Sequence, residues 1–255
     1  MQRVLVVIVF GMKGLIKMND NIIAKNRFCD ITKVKFRKWD EIDVLYWKLR
    51  CNDARSKNGE YYSNAYKDAY VQYNRTKIIN HADAKGIPPD LLGGIAWIEV
   101  GGKPESYKIY TFETRRMMSP FHVSKHPLKT SFGSVAMQLG VAINTLGLDP
   151  ETLTVRDQLE LSNCLLEDDF NLNLVATHLQ NLILFDYPDC ATMYLTDEQY
   201  LMAGVRYNRG TERKLKDFIK ARTDNPTYPS DEYKLISYGL RLLQIRPHIK
   251  WLLGL

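Results

Sequence analysis

The sequence from Pro88 to Gly102 reads PPDLLGGIAWIEVGG and predicts a short helix with its own start and stop. Pro89 suits the first helical position, and Asp90 favours the positive N-terminal end of the helix dipole. Gly101 can adopt the left-handed conformation that closes a helix. We expect the rest of the chain to be organised around this element.

Glu99 is a carboxylate near the end of this predicted helix. At helical spacing it shares a line with Leu92 and Ile95, the apolar face that should point into the protein. A carboxylate in that position either has a partner or its pKa rises until it holds a proton near neutral pH, as a general acid requires. The alternative is a helix-end glutamate that bends out to solvent or pairs with an arginine.

The composition of the 255 residues, 45% hydrophobic and 25% charged, is typical of a globular chain with a proper core. The formal net charge of +6 favours anionic partners such as nucleic acid, anionic lipid or bacterial wall polymers. The sequence contains no Lys/Arg run and no zinc-ligand spacing of a nucleic-acid-binding module. We therefore expect no nucleic-acid partner.

The four cysteines, Cys29, Cys51, Cys164 and Cys190, are far apart and form no C-x-x-C motif, so neither a metal site nor redox chemistry is predicted. Cys164 lies in an apolar helical pattern and is most simply a core thiol. A disulfide between Cys29 and Cys51 in an oxidising compartment stays open as an alternative.

Residues 1–20 form an apolar leader of uncertain status, with a basic start like that of a signal peptide. The apolar run ends at Phe10, no small-residue cleavage site follows, and the run is too short to span a membrane. Met12 and Met18 are alternative starts, and a buried strand or helix is a third interpretation. No stable membrane insertion is expected.

Residues 21–74 are predicted to be a helical N-terminal extension rich in aromatic residues. Four tyrosines recur on one helical face, at Tyr62, Tyr66, Tyr70 and Tyr73. Such a stripe is more often a packing seam than a platform on which sugars stack.

Residues 103–130 keep no helical period and contain three prolines, so an irregular loop or short hairpin is expected beside the predicted acid. This segment carries Glu105 and Glu113, the candidates for a second acid. His122 and His126 are four residues apart, but no helix is predicted to hold them. No metal site is therefore expected.

Ser131 and Gly133 predict a turn that leads into a helix ending at Gly147. Gln138 is a polar residue among apolar neighbours, so its amide needs partners, either from a ligand or from the backbone. Residues 170–184 are predicted to form another helix.

Two capping boxes, Thr154 with Asp157 and Thr196 with Gln199, predict further helix starts. Tyr207 lies on the inward face of the second of these helices, which Gly210 should end, and a buried carboxylate would suit its hydroxyl. Residues 233–253 show an amphipathic helical pattern broken at Pro247, which we expect to pack on the back of the domain. No long alternating strand pattern follows residue 35, so a mainly helical fold is predicted.

Three of these pieces occur in one order: the helix ending in Glu99, the Ser131-x-Gly133 turn leading to Met137-Gln138, and the helix ending in AGVRYNRG at Gly210. Together they resemble the lytic transglycosylase and goose-type lysozyme superfamily. The resemblance covers about residues 75–222 and implies a lysozyme-like helical domain there. Residues 223–255 would then be a C-terminal helix packed on that domain.

The resemblance implies that Glu99 is the catalytic acid and that Gln138 contacts glycan. Tyr207 and Asn208 match the pair that orients the acid and binds sugar, and Ser131 lies in the substrate-binding turn. The chain departs from the family at Val100, where a serine is usual, and at Val135-Ala136, where Gly-Leu is usual. These two departures affect the contacts expected with the substrate and the expected catalytic rate.

The implied activity is cleavage of the β-1,4 bond between MurNAc and GlcNAc in peptidoglycan, with no cofactor. A lytic transglycosylase uses one acid because the muramyl 6-hydroxyl attacks and leaves a 1,6-anhydro end, and we favour this route. A hydrolytic muramidase would use Glu105 or Glu113 as a second carboxylate. The competing class is a non-catalytic module that binds the cell wall and retains a lysozyme-like fold.

The partners implied are peptidoglycan glycan strands, with action in the periplasm or on the cell wall. The biological setting stays open among a secreted toxin or effector, a phage enzyme and a housekeeping wall enzyme. An immunity protein or a secretion-system component would be a partner in the first of these settings.

Overall fold

The computed structural model describes residues 22–25, 28–32, 36–51, 58–118, 126–224 and 227–255. Within these ranges the chain is mainly helical, as the sequence predicts. The predicted leader, residues 1–20, lies outside the described residues, and so does His122. None of the helices in the described ranges combines the length and hydrophobicity needed to cross a membrane.

The described helices are α1 (Glu41–Cys51), α2 (Asn58–Tyr73), α3 (Arg75–Ala84), α4 (Pro89–Glu99), α5 (Glu105–Met118), α6 (Leu139–Thr145), α7 (Val155–Leu165), α8 (Asp168–Asp186), α9 (Asp197–Arg209), α10 (Leu215–Thr223) and α11 (Asp231–Leu253). The strands are β1 (Ile22–Lys25), β2 (Asp30–Thr32), β3 (Ser131–Phe132) and β4 (Met137–Gln138). β1 pairs antiparallel with β2, and β3 pairs antiparallel with β4.

Helix α4 is the centre of the core, as expected, and packs against α2, α3, α8 and α11. Its glycines allow the close approach of α11. A methyl group at Gly93 would lie 2.9 Å from Ile249, and one at Gly94 would lie 2.6 Å from Leu242. Any larger residue would push the two helices apart, so the spacing of α4 and α11 depends on these two positions.

The predicted starts of several helices are confirmed, whereas the extension over 21–74, expected to be helical, also contains the strands β1 and β2. Both capping boxes form, because Thr154 accepts from the Asp157 amide and Thr196 accepts from the Gln199 amide. Helix α4 begins at Pro89 and ends at Glu99, followed by a left-handed Gly101 with φ of 79°.

The expected break in the C-terminal helix at Pro247 is wrong, because α11 continues through it. Pro247 is exposed, while Leu242 and Ile249 are buried on either side of it. Packing of both halves against the core therefore outweighs the cost of about 3 kcal/mol of an interior proline. Helix α11 packs against α4 and α9, in keeping with the predicted packing of a C-terminal helix on the domain.

The irregular loop expected over 103–130 is also wrong for its first half, which is helix α5. Phe112 is the one buried residue of α5. Lys108, Thr111 and Arg115 share its inward side and line a cleft instead of a core. Because that side is polar, α5 has no apolar period by which the sequence could reveal it.

The disulfide differs from the alternative left open by the sequence. Cys29 is bonded to Cys164, with their Cα atoms 5.8 Å apart, so Cys164 is not a core thiol and Cys29 does not pair with Cys51. The two cysteines are 135 residues apart, and only the tertiary fold brings them together. Cys190 is free.

The tyrosine stripe is mainly a packing seam. Tyr70 is fully buried, and Tyr66 packs against the rings of Trp39 and Phe36. Tyr73 at the end of the stripe is 51% exposed, so the stripe leaves the core along α2. Tyr66 also lines the cleft next to Glu99, which keeps a sugar contact open at that one position.

Candidate active site

A cleft made of two adjacent cavities runs past the end of α4. The smaller has a volume of about 310 Å³ and the larger about 740 Å³. Their shared lining residues are Glu99, Lys129, Ser131 and Ala136. Glu99 therefore lies where the two cavities meet, with room for a ligand on both sides.

Glu99 is held by a tyrosine that sequence reasoning did not select. The hydroxyl of Tyr238, on α11, donates to Glu99 Oε1 at 2.7 Å. The close packing of α4 and α11 at Gly94 keeps these two side chains together. Tyr238 lies in the amphipathic C-terminal pattern, where nothing in the sequence distinguishes it from a packing residue.

Burial raises the pKa of Glu99 above its ordinary value. The hydrogen bond from Tyr238 and the positive charges of Lys67, Lys108 and Arg241 act in the opposite direction but do not outweigh burial. A carboxyl group with a raised pKa keeps its proton closer to neutral pH. Glu99 can therefore act as a proton donor, and the surrounding cations stabilise the carboxylate that remains.

Lys67 connects this site to the end of α4. Its ammonium donates to the carbonyl oxygens of Trp97 and Ile98, both at 2.9 Å, and so satisfies the last turn of the helix. Burial and the nearby Arg241 lower the pKa of Lys67 to about 8. The charge of Glu99 acts in the opposite direction and raises the pKa of Lys67, which favours the charged form of this buried ammonium.

Tyr207 does not hold Glu99, contrary to the expectation from the sequence. Its hydroxyl donates to the carbonyl oxygen of Ala136 at 3.0 Å and so anchors the turn between β3 and β4. Its ring lies 6.3 Å from that of Tyr238, centroid to centroid. Helix α9 places Tyr207 near the acid as expected, but α11 supplies the hydroxyl that contacts it.

The other predicted substrate-binding residues line the cleft. Ser131 lines both cavities, and Gln138 and Asn208 line the larger one. Gln138 is exposed, so the argument that its amide must find buried partners is wrong. It faces Ser131 across the short hairpin, because Ser131 and Gln138 are paired between β3 and β4.

The two candidates for a second acid are separated by the structure. Glu105 lines the smaller cavity together with Glu99 and lies 3.9 Å from the ammonium of Lys38. Glu113 is not among the residues that line either cavity. It pairs instead with Arg116 at 2.6 Å, one turn along α5.

His178 lines the larger cavity as an uncharged group. Burial lowers its pKa to about 4, and its Nδ1 lies 3.3 Å from the hydroxyl of Thr145. His178 therefore has a hydrogen-bond partner at the boundary of the cavity. Within the described residues no cluster of histidine, cysteine and carboxylate side chains could hold a metal ion.

The fold and the site thus define a mainly helical protein with a partly buried carboxyl group at the centre of a cleft. Comparison with protein-family models, with curated proteins and with solved structures found no match to this chain.

Proposed function

We propose that the protein cleaves the β-1,4 bond between MurNAc and GlcNAc in peptidoglycan glycan strands, as a lytic transglycosylase. The observation that carries this proposal is the position of Glu99. It has a raised pKa, and it lies at the junction of two cavities that extend in both directions. A polymer lying along the cleft would present an internal bond to this one acid.

The proposed reaction needs two proton transfers at Glu99. Its carboxyl group gives a proton to the glycosidic oxygen as the bond from that oxygen to C1 of MurNAc breaks. The carboxylate, held by Tyr238, then takes the proton of the muramyl 6-hydroxyl as that oxygen bonds to C1. The products are a free GlcNAc 4-hydroxyl and a 1,6-anhydro-MurNAc end, and Glu99 is protonated again.

Hydrolysis is the second candidate because Glu105 lines the same cavity as Glu99. As a carboxylate it could activate a water molecule, a role that Glu113 cannot share from outside the cleft. We favour the single-acid route because Glu99 is held by the hydroxyl of Tyr238, whereas the ammonium of Lys38 lies 3.9 Å from Glu105 and would compete with a water molecule for that carboxylate.

The proposed place of action is the periplasm or the cell wall. The disulfide between Cys29 and Cys164 supports it, because disulfides persist in oxidising compartments. The biological setting, whether toxin, phage or housekeeping enzyme, stays a prediction from the resemblance.

The test compares three variants on purified peptidoglycan, with products identified by mass spectrometry. Glu99→Gln is expected to abolish product formation with an unchanged circular dichroism spectrum, while Glu113→Gln, the matched control outside the cleft, keeps the wild-type rate. Anhydro-muramyl products from the wild type support transglycosylation. Reducing-end products that disappear in Glu105→Gln would establish hydrolysis instead. A Glu99→Gln protein that binds walls as wild type does, with no products from either, would indicate a binding module.

A further inference from the structure

The smaller cavity carries an excess of positive charge. Its lining includes five cationic residues, against Glu99 and Glu105 as its carboxylates: Lys38, Lys103, Lys108, Arg115 and Lys129. These two carboxylates are too few to balance the five cations. The cavity is therefore electropositive even within a chain that is basic as a whole.

Among the residues that the structure describes, a buried acid is in direct contact with one of these cations. The ammonium of Lys38 lies 2.6 Å from Asp168, a carboxylate that also accepts from Ser134. Asp168 lies behind the cavity and does not line it. The pair of Lys38 with Asp168 is thus structural, and it leaves four cations for the cavity itself.

Three of those four cations contact neutral groups. Lys108 donates to the carbonyl oxygen of Gly133 at 2.7 Å, and Arg115 donates to the hydroxyl of Thr130 at 3.0 Å. Lys103 lies over the ring of Tyr107. Within the described ranges, no carboxylate lies at ion-pair distance from Lys103, Lys108, Arg115 or Lys129.

Lys108 is a cation in the wall of this cavity, and burial is the main cause of its lowered pKa. Burial lowers its pKa, and the charge of Lys38 lowers it further, while Glu105 and Glu99 raise it too little to compensate. An anion bound beside Lys108 would reverse this effect. The guanidinium of Arg115, with one nitrogen on Thr130, keeps further donors for such an anion.

We propose that the smaller cavity binds the carboxylate groups of the peptides attached to MurNAc. The protein would then act on strands whose peptide carboxylates are free in preference to strands whose peptide carboxylates have been converted to amides. This inference rests on the proposed function, because a strand with its scissile bond at Glu99 extends into this cavity. In an intact strand the lactyl carboxyl group of MurNAc is joined to the peptide as an amide, so the peptide carboxylates are the anions that a bound strand brings.

The cavity lies on one side of Glu99 only. Besides Glu99, the larger cavity is also lined by charged side chains, namely Lys129, Arg206, Arg209 and Glu212. However, Arg206 is paired with Asp186, and most of the other lining side chains are neutral, including Gln138, Asn144 and Asn208. The preference should therefore come from a peptide on one side of the scissile bond. The other side should recognise sugar hydroxyl and amide groups.

The experiment measures strand binding with the inactive Glu99→Gln protein, so that binding is separated from turnover. Its ligands are glycan strands with free peptide carboxylates and the same strands after those carboxylates have been converted to amides. A hydrogen bond to a charged group is worth roughly tenfold or more in affinity, so the strands with free carboxylates should bind about tenfold tighter. The ratio of the two affinities should fall towards one at high salt, because ions screen the contact between the carboxylates and the cations.

Arg115→Gln in the same background should bring the ratio of the two affinities close to one. Lys216→Gln, an exposed lysine outside both cavities, is the matched control and should leave the ratio unchanged. If Arg115→Gln unfolds, Lys103→Gln at the exposed rim serves instead and should reduce the ratio. Equal affinity for both kinds of strand, or a ratio that neither substitution changes, would overturn the proposal.

Titration with the free peptide separates this proposal from the proposed function. Binding of the peptide that depends on Arg115, with no binding or cleavage of either strand, would support the carboxylate site and refute glycan cleavage. Inorganic phosphate is the competing anion. If phosphate binds more tightly than the peptide at equal concentration, the assignment to peptide carboxylates fails.

Discussion

Replacing Tyr238 with phenylalanine tests how Glu99 is controlled. The change removes one hydroxyl, which donates to Glu99 Oε1 at 2.7 Å, and keeps the ring that packs near Tyr207. The hydrogen bond stabilises the charged form of Glu99 and so lowers its pKa against the effect of burial. Without it, the pKa of Glu99 should rise further.

The size of this rise follows from the type of bond. A hydrogen bond to a charged group is worth about 1.5 to 3 kcal/mol, and about 1.4 kcal/mol corresponds to one pKa unit, so the pKa should rise by about one to two units. A proton donor works only while protonated, and activity is lost as pH rises through its pKa. In Tyr238→Phe the alkaline limb of kcat should therefore move to higher pH by that amount. The maximal kcat should fall about tenfold, because the carboxylate is no longer held in position.

The assay is the initial rate of product release from peptidoglycan across the pH range, with thermal melting on the same preparations. Tyr207→Phe is the matched control, because it removes a hydroxyl bound to the carbonyl of Ala136 and not to the acid. It should lower the melting temperature without moving the alkaline limb. The reasoning is refuted if Tyr238→Phe melts earlier while its pH profile stays that of the wild type.

The disulfide and His178 give two further predictions. Reduction of the bond between Cys29 and Cys164, or the Cys29→Ser change, should lower the free energy of unfolding, because the bond closes a loop of 135 residues; chain entropy sets an upper value of about 5 kcal/mol. Denaturant unfolding with and without reductant measures this, and no response of the wild type to reductant would contradict it. The pKa of His178 is lowered from 6.5 to about 4, so the unfolded chain binds more protons between these values, and stability should fall as pH drops through this window. Allowing for partial exposure of the ring, the loss is about 2 kcal/mol. The difference in unfolding free energy between pH 7 and pH 4 should be smaller by that amount in His178→Asn, and equal differences in both proteins would refute the assignment.

Much of the local structure could be predicted from the sequence. Helix α4 was predicted with its start at Pro89 and its end near Glu99, and both capping boxes form. These features depend on contacts between residues a few positions apart, which a sequence shows directly. The partly buried state of Glu99 also followed from its position on the line of Leu92 and Ile95.

The errors concern elements whose structure depends on distant neighbours. Helix α5 was missed because its inward side faces a cleft and is polar. Helix α11 passes through Pro247 because buried residues on both sides hold it against the core. Tyr207 was assigned to Glu99 from local order and resemblance, while its hydroxyl contacts the turn at Ala136.

The sequence by itself determined the helical class, the central helix and the acid at its end, because helical period, caps and an isolated carboxylate are local properties. Only the tertiary structure decided what surrounds that acid. Tyr238 reaches Glu99 across 139 residues of chain, and Cys29 reaches Cys164 across 135. Lys108 and Arg115 become a charged cavity wall only when α5 packs beside the hairpin of β3 and β4. Such contacts depend on how whole helices approach each other, and that approach is set by packing volume at residues such as Gly93 and Gly94, far from the groups it brings together.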